Sequence, residues 1–392
     1  MKELRGTFRR RALVCCLADP SKDPRPNRVI NMLNGMGFIV DVLCSYEVKE
    51  NLKFNKIICI NAPPRFYRIL LKVMRSLIKI NDIDLHLGDW LRGIWKIKST
   101  LNPSEYDIVV VEDVEFLNFI VNHKSVHTKI ICDLREFYPL EFEDSIYFMI
   151  FESGYKRKLC QRYLNKCDAL ITVSEGIRKA FYTWFGVESE VICSVPYYRY
   201  LEPRIVDKSK IKMVHHGAAN PDRKLENMIH MFKFLDQRYH LDFYLVGNQS
   251  YVTHLKKLAA PFGERINFLE PLPFEKIIPS LNSYDIGLCL LEDTTFNIRY
   301  ALPNKFFEYI QARLMLAIGP SPEMRRLTEQ YNLGVVSSSF NPAELSKILN
   351  SLSDDDIYKY KLNSHLAAKE LCFEKESKKL ERILERLLGG YK

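Results

Sequence analysis

The most informative stretch of this chain is residues 302–310, LPNKFFEYI. It follows the apolar run YDIGL at 284–288, which predicts a buried strand, and Pro-Asn-Lys is typical of a helix start. A helix N-terminus presents unpaired N–H groups and a positive dipole end, and both suit a phosphate. One turn further on, Glu308 could accept both hydroxyls of a ribose. The pattern predicts a nucleotide site at the carboxyl end of a parallel strand; a capping Asn and a salt-bridged Glu are the alternative.

Length and composition predict a globular protein of two domains. The chain has 392 residues, of which 47% are hydrophobic and 27% charged. No apolar run reaches the roughly 18 residues that would predict a membrane-spanning helix. The apolar run at 12–18 has only seven residues and leads into a polar stretch, so it is interpreted as a first buried strand instead of a signal peptide.

Ten cysteines indicate the compartment. Most fall inside strand-like apolar runs, and no C-x-x-C pair occurs. Cysteines used as small core residues are typical of a reducing compartment, not of a disulfide framework or a zinc site. The sequence therefore predicts a cytoplasmic protein.

Strand and helix patterns alternate along both halves of the chain. The predicted strands are continuous apolar runs, which is typical of a parallel sheet covered on both faces. A proline-punctuated aromatic stretch at 195–203 interrupts this rhythm. We therefore predict a first domain over 1–200, a second over 201–370, and a C-terminal helix within 371–392 that packs back on the first domain.

One helix carries an unusual charge. Residues 1–100 contain 19 Lys+Arg against 9 Asp+Glu, a net charge of +10, concentrated at 65–79. Apolar residues recur there at helical spacing, and the membrane-surface candidates Arg68, Lys72, Arg75 and Lys79 line the other side. The pattern predicts an amphipathic helix on an anionic membrane surface, or alternatively a core-packed helix with a solvated basic face. Nucleic acid is not a predicted partner, because no binding module is present.

Short motifs follow one order along the chain. They lie at 23–28, 37–43, 106–111, 132–136, 168–175, 216–217, 245–248, 284–287 and 302–309. By this ordered set the chain resembles the GT-B glycosyltransferases and is most similar to bacterial members of glycosyltransferase family 4 (group 1). The resemblance implies an α/β fold in which two Rossmann-like, doubly wound parallel-sheet domains face a cleft. The first would bind an acceptor and the second a nucleotide sugar.

The resemblance also implies a donor site. In the family a basic pair meets the leaving diphosphate: Arg223 matches its second member, whereas Ala218 stands where an Arg is common. Lys305 is placed to supply the missing charge, with a packed or solvated Lys as the alternative. Glu308 matches the second acid of the family's pair, and the first would fall at Tyr300 and is absent. The expected donor-binding residues are Gly217, Arg223, Asn248, Leu269, Pro303, Asn304, Lys305 and Glu308.

Two adjacent histidines end a predicted strand. Neighbouring side chains on a strand point to opposite faces, so His215 and His216 cannot chelate one metal together. One of them is expected near the diphosphate and the other in the packing.

Loops after strands of the first domain are expected to bind the acceptor. Glu112 and Asp113 could hold or deprotonate a hydroxyl, and N-capping of the next helix is the alternative. Arg135 stands where related sequences often have a His; because Arg cannot be a base, it could bind an anionic acceptor or the donor phosphate. The predicted catalytic residues are Glu112, Asp113, Arg135 and Arg223, and the acceptor candidates are Asp19, Arg25, Arg135 and Glu136.

The resemblance thus implies an enzyme of the EC 2.4 class. It would move a sugar from a nucleotide diphosphate, with UDP favoured, to a glycan or lipid-linked acceptor in bacterial capsule, O-antigen or similar polysaccharide synthesis. Retention of configuration is implied, and no bound metal or other cofactor is expected. The expected location is cytoplasmic, with peripheral attachment to the inner face of the membrane. A nucleotide-sugar 2-epimerase of the same fold and a non-catalytic nucleotide-binding scaffold stay open as alternatives.

Overall fold

The computed structural model describes residues 10–45, 52–77 and 83–389. The chain divides into two compact units. Unit 1 comprises residues 1–192 and 379–392, and unit 2 comprises residues 193–378. Each unit is built on one parallel sheet with helices between its strands, which confirms the predicted α/β class with two Rossmann-like sheets.

Unit 1 contains a seven-stranded sheet in the order β3-β2-β1-β4-β5-β6-β7. All of its strand pairs are parallel. The central strands are buried along their length because they consist of branched and sulfur-containing apolar residues. The strands are β1 Arg11–Cys15, β2 Ile39–Cys44, β3 Lys56–Cys59, β4 Ile108–Val111, β5 Lys129–Leu134, β6 Ala169–Thr172 and β7 Glu190–Val191.

The helices of unit 1 follow most of these strands. The first begins at Pro24, earlier than the apolar spacing at 28–36 predicts. It begins there because the Asp23 side chain accepts from the backbone N–H of Arg25 and proline fits the first helical position. The helices are α1 Pro24–Gly35, α2 Arg65–Leu77, α3 Ile83–Arg92, α4 Leu117–His123, α5 Ile146–Phe148, α6 Gly154–Tyr163 and α7 Glu175–Phe185, and a π-helical segment, Met149–Ser153, joins α5 to α6.

Unit 2 contains a six-stranded parallel sheet in the order β10-β9-β8-β11-β12-β13. Its two longest strands, β8 and β9, pair over nine residues each. The strands are β8 Ile211–Ala219, β9 Tyr239–Gly247, β10 Ile266–Leu269, β11 Ile286–Cys289, β12 Met315–Ile318 and β13 Gly334–Val336.

Helices separate the strands of unit 2 and continue beyond them. The three aspartates at 354–356 begin one of these helices, where Ser353 and Asp356 form a capping box. The helices are α8 Glu226–His230, α9 Gln249–Ala259, α10 Phe274–Leu281, α11 Phe296–Arg299, α12 Asn304–Gln311, α13 Pro322–Tyr331, α14 Pro342–Asn350, α15 Asp354–Ala367 and α16 Phe373–Leu388.

The end of α16 belongs to unit 1. From residue 379 onward the chain is assigned to that unit, where the Lys379 ammonium donates to the Val191 carbonyl at 3.2 Å and Arg386 pairs with Glu190. The last strand of unit 1 is correspondingly short: it ends at Val191, whereas the apolar pattern predicts a strand over 191–194.

Each sheet has one place where the strand order reverses. In unit 1 the reversal lies between β1 and β4, and in unit 2 between β8 and β11. Ligands of open parallel sheets bind at the carboxyl ends of the strands at such a switch point, because loops on either side diverge there and leave a crevice. The fold therefore points to the ends of β8 and β11 in unit 2, and of β1 and β4 in unit 1.

None of the described helices combines enough length and enough apolar character to cross a bilayer.

Candidate functional site

The amino group of Lys305 lies at the switch point of unit 2. Lys305 is the second residue of α12 and is only 5% exposed. Burial, with Arg223 nearby, lowers the pKa of Lys305 to about 8. Within the described residues its amino group has no carboxylate at ion-pair distance. A buried cation without a counter-ion, at the N-terminal end of a helix, suits an anionic ligand.

His215 holds this lysine in place. Its Nδ1 lies 2.8 Å from the Leu288 carbonyl of β11, and its Nε2 lies 3.1 Å from Lys305 Nζ. Burial and the lysine charge keep the pKa of His215 well below its usual value, so the ring is neutral. The neutral tautomer that satisfies both contacts donates from Nδ1 to the carbonyl and accepts from the lysine at Nε2. The Lys305 ammonium then keeps its other protons for a ligand.

Gly217 leaves the space that Lys305 occupies. Its φ is +122°, a backbone conformation that L-residues with side chains rarely adopt. A Cβ at this position would lie 3.0 Å from Lys305 Nζ and 3.3 Å from its Cε. The predicted donor residues Gly217 and Lys305 are therefore adjacent, and the glycine is needed both for its backbone and for its lack of a side chain.

Glu308 lies one turn below Lys305 on α12, beside His216. The Glu308 Oε2 and His216 Nε2 atoms are 3.2 Å apart, but His216 Nε2 has no hydrogen-bond partner in the described structure. Burial and Lys305 lower the pKa of His216 to about 3, so this ring is neutral and does not form an ion pair with the carboxylate. A buried, unsatisfied ring nitrogen beside a carboxylate is a polar surface that a ligand could satisfy.

The start of α12 differs from the alternative interpretation of residues 302–310. Pro303 occupies the N-cap position and provides no side-chain cap. Asn304 is the first helical residue, and its side-chain oxygen accepts from the Ser194 hydroxyl at 2.9 Å. A capping asparagine is therefore wrong, and the backbone N–H groups of the first turn are not occupied by that side chain.

The remaining donor candidates lie further from Lys305. Arg223 ends a short 3₁₀ turn after β8 and is half-buried, close enough to influence the pKa of Lys305. Asn248 is exposed and caps α9, accepting from the Tyr251 N–H at 3.0 Å. Leu269 ends β10, an edge strand that β9 separates from β8. The structure thus groups Gly217, Lys305 and Glu308 closely and leaves Asn248 and Leu269 outside that group.

At the switch point of unit 1, Arg135 joins the predicted acidic residues. Its Nη1 donates to Asp23 at 2.6 Å and its Nη2 to Asp113 at 3.0 Å, and its Nε lies 3.6 Å from Glu112. Asp113 also accepts from the Leu17 backbone N–H at 2.6 Å. The Asp113 side chain forms no helix-capping hydrogen bond, so the capping alternative is wrong for this residue.

Glu112 is the least satisfied acid of this group. Its side chain is fully buried, and neither carboxyl oxygen has a hydrogen-bond partner in the described structure. Burial and the nearby charge of Asp133 raise the pKa of Glu112 well above its usual value. A carboxyl group that holds its proton at neutral pH can donate a hydrogen bond.

Arg25 does not fit the predicted acceptor-binding role. Its guanidinium forms two hydrogen bonds with Asp133, at 2.5 and 2.8 Å, and a third with the Ile192 carbonyl at 2.8 Å. The residue is buried, so its role here is structural. Of the other acceptor candidates, Asp19 accepts from the Ser21 hydroxyl and N–H, and Glu136 is exposed.

Two cations of α2, Lys72 and Arg75, face Glu152, contrary to the expected surface role. Arg75 is buried and pairs with Glu152 at 2.8 Å, and Lys72 pairs with the same carboxylate at 2.7 Å. The predicted membrane-surface residue Arg75 is therefore corrected to a buried ion-pair partner. Arg68 is exposed, and Lys79 lies outside the described residues.

His215 is the residue whose role the sequence left open. Its only signal was the adjacent pair of histidines at a strand end, which does not say which ring meets Lys305. Within the described residues, no group of three His, Cys, Asp or Glu side chains could hold a metal ion.

Comparisons with known proteins were made with the sequence and with the structure. No family model and no curated protein matches the sequence. A structure of HepE from Anabaena in complex with UDP matches over 96% of this chain and 100% of its own, with a TM-score of 0.69 and 12% identity. An α,α-trehalose 6-phosphate synthase from Burkholderia multivorans matches over 97% and 99%, with a TM-score of 0.66 and 11% identity.

A glycosyltransferase from Rickettsia africae matches over 98% of this chain and 100% of its own, with a TM-score of 0.66 and 12% identity. At such low identities the matches show the fold alone. This chain has the GT-B fold that the motif order predicts.

Proposed function

We propose that this protein is a glycosyltransferase that transfers a sugar from a nucleotide diphosphate, with UDP favoured, to a glycan or lipid-linked acceptor. The observation that carries the proposal is the buried Lys305 amino group, which neutral His215 holds at the switch point of unit 2 and which has no carboxylate partner in the described part of the chain. HepE, a protein of the same fold, has been solved with UDP and with UDP-glucose, which supports uracil as the base.

In this proposal α12 binds the donor. The Lys305 ammonium and the first N–H groups of the helix meet the diphosphate, while Glu308 accepts the ribose hydroxyls. Arg223 adds a second positive charge beside them. As the bond between the anomeric carbon and the phosphate oxygen breaks, charge develops on the diphosphate, and these fixed donors stabilise it.

The acceptor is proposed to bind unit 1 through the group around Glu112, Asp113 and Arg135. The new bond joins the acceptor oxygen to the anomeric carbon, and the hydroxyl proton passes to the departing phosphate. On this route the anomeric configuration is retained, no strong protein base is required, and no metal is invoked. We place the activity in bacterial surface polysaccharide synthesis, in the cytoplasm, with peripheral attachment to the inner face of the membrane.

A thermal-shift panel of UDP, GDP, ADP and CMP with their common sugar conjugates tests the proposal. UDP and one UDP-sugar should raise the melting temperature of the wild type, and Glu308→Gln should lose that shift because the amide cannot replace the carboxylate toward ribose. Glu329→Gln, an exposed acid of α13 in the same unit, is the matched control and should keep the shift. Turnover of the stabilising sugar nucleotide with and without acceptor extracts then identifies the reaction.

The other outcomes separate the alternatives. Conversion of the sugar without any acceptor would favour the epimerase, and binding without turnover would favour the scaffold. If no nucleotide stabilises the wild type, the donor site is wrong.

A further inference from the structure

Unit 1 contains a cationic cavity that the proposed reaction does not use. Its volume is about 190 Å³, and it is lined by Arg68, Lys72, Arg92, Glu152, Ser45, Ala62 and Leu91. Three of these residues are cations and one is an acid. The cavity therefore carries excess positive charge.

Glu152 does not neutralise this charge. The one carboxylate faces Lys72 at 2.7 Å, Arg75 at 2.8 Å and Arg92 at 3.7 Å. These cations outweigh burial and lower the pKa of Glu152, so it stays ionised. Arg92 also pairs with buried Glu115 at 2.9 Å. Arg68 has no side-chain partner among the described residues, and it is the cation available to an anion entering the cavity.

The helix that supplies Arg68 and Lys72 exposes its apolar side. Six large apolar side chains of α2 are at least 39% exposed: Phe66, Tyr67, Ile69, Leu70, Val73 and Met74. Soluble monomers rarely leave so many neighbouring apolar side chains in water, and a continuous apolar patch marks a binding surface.

A second apolar segment continues this surface. Ile146, Tyr147 and Ile150 lie at or near α5 and are at least half exposed. The Lys72 ammonium lies 4.9 Å from the centre of the Tyr147 ring, so this segment is next to α2. An apolar surface therefore borders a cavity for an anion.

We propose that this part of unit 1 binds a lipid phosphate: the cavity takes the phosphate headgroup, and the hydrocarbon lies along the apolar side of α2. Phosphate suits the site because two arginines and a lysine converge on one small volume, where charge-assisted hydrogen bonds are strongest. The adjacent apolar face requires a ligand with both a charged head and a hydrocarbon tail. The idea rests on the proposed function only in naming lipid phosphate as the carrier of the acceptor.

This binding mode differs from simple attraction of a basic helix to a membrane. Arg75 and Lys72 pair with Glu152, and Lys72 also lines the cavity. The contribution of α2 to membrane contact is therefore the insertion of its apolar side chains, with Arg68 at their border. The occupant is a lipid surface whose headgroups carry an exposed phosphate with net negative charge, and a soluble phosphate would leave the apolar face unexplained.

Sedimentation with vesicles tests the proposal on the full-length protein. Vesicles of phosphatidylcholine alone and of phosphatidylcholine with phosphatidic acid are compared, and inorganic phosphate is tested separately by thermal shift. The wild type should sediment with the phosphatidic acid vesicles and much less with phosphatidylcholine. Arg68→Gln should weaken that partition about fivefold, and Ile69→Gln about tenfold, because each removes one of the two contacts.

Two matched variants control for general effects. Arg65→Gln removes the same charge from the same helix outside the cavity lining, and Leu366→Gln removes an exposed leucine from α15 in unit 2. Both variants should sediment more strongly than the corresponding test variants. All of these side chains are exposed, so the four variants should melt close to the wild type.

Equal losses of sedimentation for Arg68→Gln and Arg65→Gln would overturn the cavity as the phosphate site, since they would indicate general electrostatic attraction to the vesicle. Unchanged sedimentation of Ile69→Gln would overturn the apolar contact. A thermal shift with inorganic phosphate but no binding to vesicles would overturn the lipid assignment. Thermal shifts with UDP, measured on the same samples, keep the two proposals separate. A protein that binds UDP but not vesicles contradicts only the lipid site. A protein that binds vesicles but not UDP contradicts only the donor site.

Discussion

The two sheets use one topology for opposite electrostatics. At the switch point of unit 2, a lysine is buried beside a neutral histidine, with no carboxylate partner among the described residues, and its pKa is lowered to about 8. At the switch point of unit 1, Arg135 is shared among acids, and burial raises the pKa of Glu112 and of Asp113. Among the described residues, the edge in unit 2 has a cation without an acidic partner, and the edge in unit 1 has several acidic groups around one cation.

The reversal of strand order therefore positions a site without determining which ligand binds there. Strand ends supply backbone groups and a crevice in both units. The side chains that follow the strands then decide whether an anion or a hydroxyl is favoured. The edge in unit 2 gains stability when an anion arrives, whereas the edge in unit 1 already has its cation satisfied.

The largest expected effect comes from breaking the satisfied ion pair of unit 1. Arg25→Ala leaves Asp133 buried with an uncompensated charge, and it should reduce the free energy of unfolding by about 3–5 kcal/mol. The three tryptophans, Trp90, Trp95 and Trp184, all belong to unit 1, so their fluorescence in urea reports on that unit. Arg178→Ala, which removes an exposed pair with Glu175, should leave the midpoint nearly unchanged. Equal midpoints for the two variants would contradict a structural role of Arg25.

Removing the buried Lys305 cation of unit 2 should weaken ligand binding, in contrast to the loss of stability expected for Arg25→Ala. Lys305→Met takes away a charged partner of the diphosphate, and UDP binding measured by calorimetry should weaken about 10–100-fold, or about 1.5–3 kcal/mol. The free protein should not lose stability, because a desolvated ammonium is replaced by an apolar chain. Lys212→Met, at the other end of β8, is the control for charge alone. UDP affinity that is unchanged in Lys305→Met would remove the central observation of the donor site.

The raised pKa of Glu112 in unit 1 can be tested through the pH dependence of the free energy of unfolding. Its folded pKa is above its unfolded value, so the folded state binds an extra proton and its stability falls as pH rises above about 4.5. Glu112→Gln has no proton to lose. Its stability relative to the wild type should therefore increase with pH, by at most about 1.4 kcal/mol per pH unit. Tryptophan-monitored urea unfolding at pH 5, 6 and 7 measures this slope, and parallel curves for the two proteins would show that Glu112 is ionised in the folded state.

The smallest expected effect is the pH dependence of UDP binding. A bound diphosphate favours charged Lys305, so affinity should fall by about twofold between pH 7 and 8 and by at most about tenfold per pH unit above 8. The groups facing this lysine do not titrate in that range: the pKa of His216 is about 3, His215 is lower than usual, and burial raises the pKa of Cys289 to about 11. In Lys305→Met the decline above pH 8 should disappear, and its persistence would assign the titration to another group.

The sequence was sufficient for the bounds of several strands. Ile39–Cys44, Ile108–Val111 and Ile266–Leu269 begin and end as their apolar runs predict. The helix start at 303–305 predicts that Lys305 and Glu308 lie on one helix, whereas Gly217 was named through the family resemblance, and the donor roles of all three stay predictions. The strand bounds and the helix start follow from residue type and spacing over a few consecutive residues, so the local sequence specifies them.

The partners of these residues depend on tertiary contacts between distant parts of the chain. Asp133 lies 108 residues from Arg25 in the chain, and His215 lies 90 residues from Lys305. No local pattern specifies such contacts, so the burial that occupies Arg25 and leaves Lys305 without a counter-ion was not predictable. The same holds for α2, whose amphipathic spacing was evident but whose orientation depends on Glu152, 77 residues beyond Arg75. An amphipathic helix has two faces, and the residues packed against it determine which one remains in water.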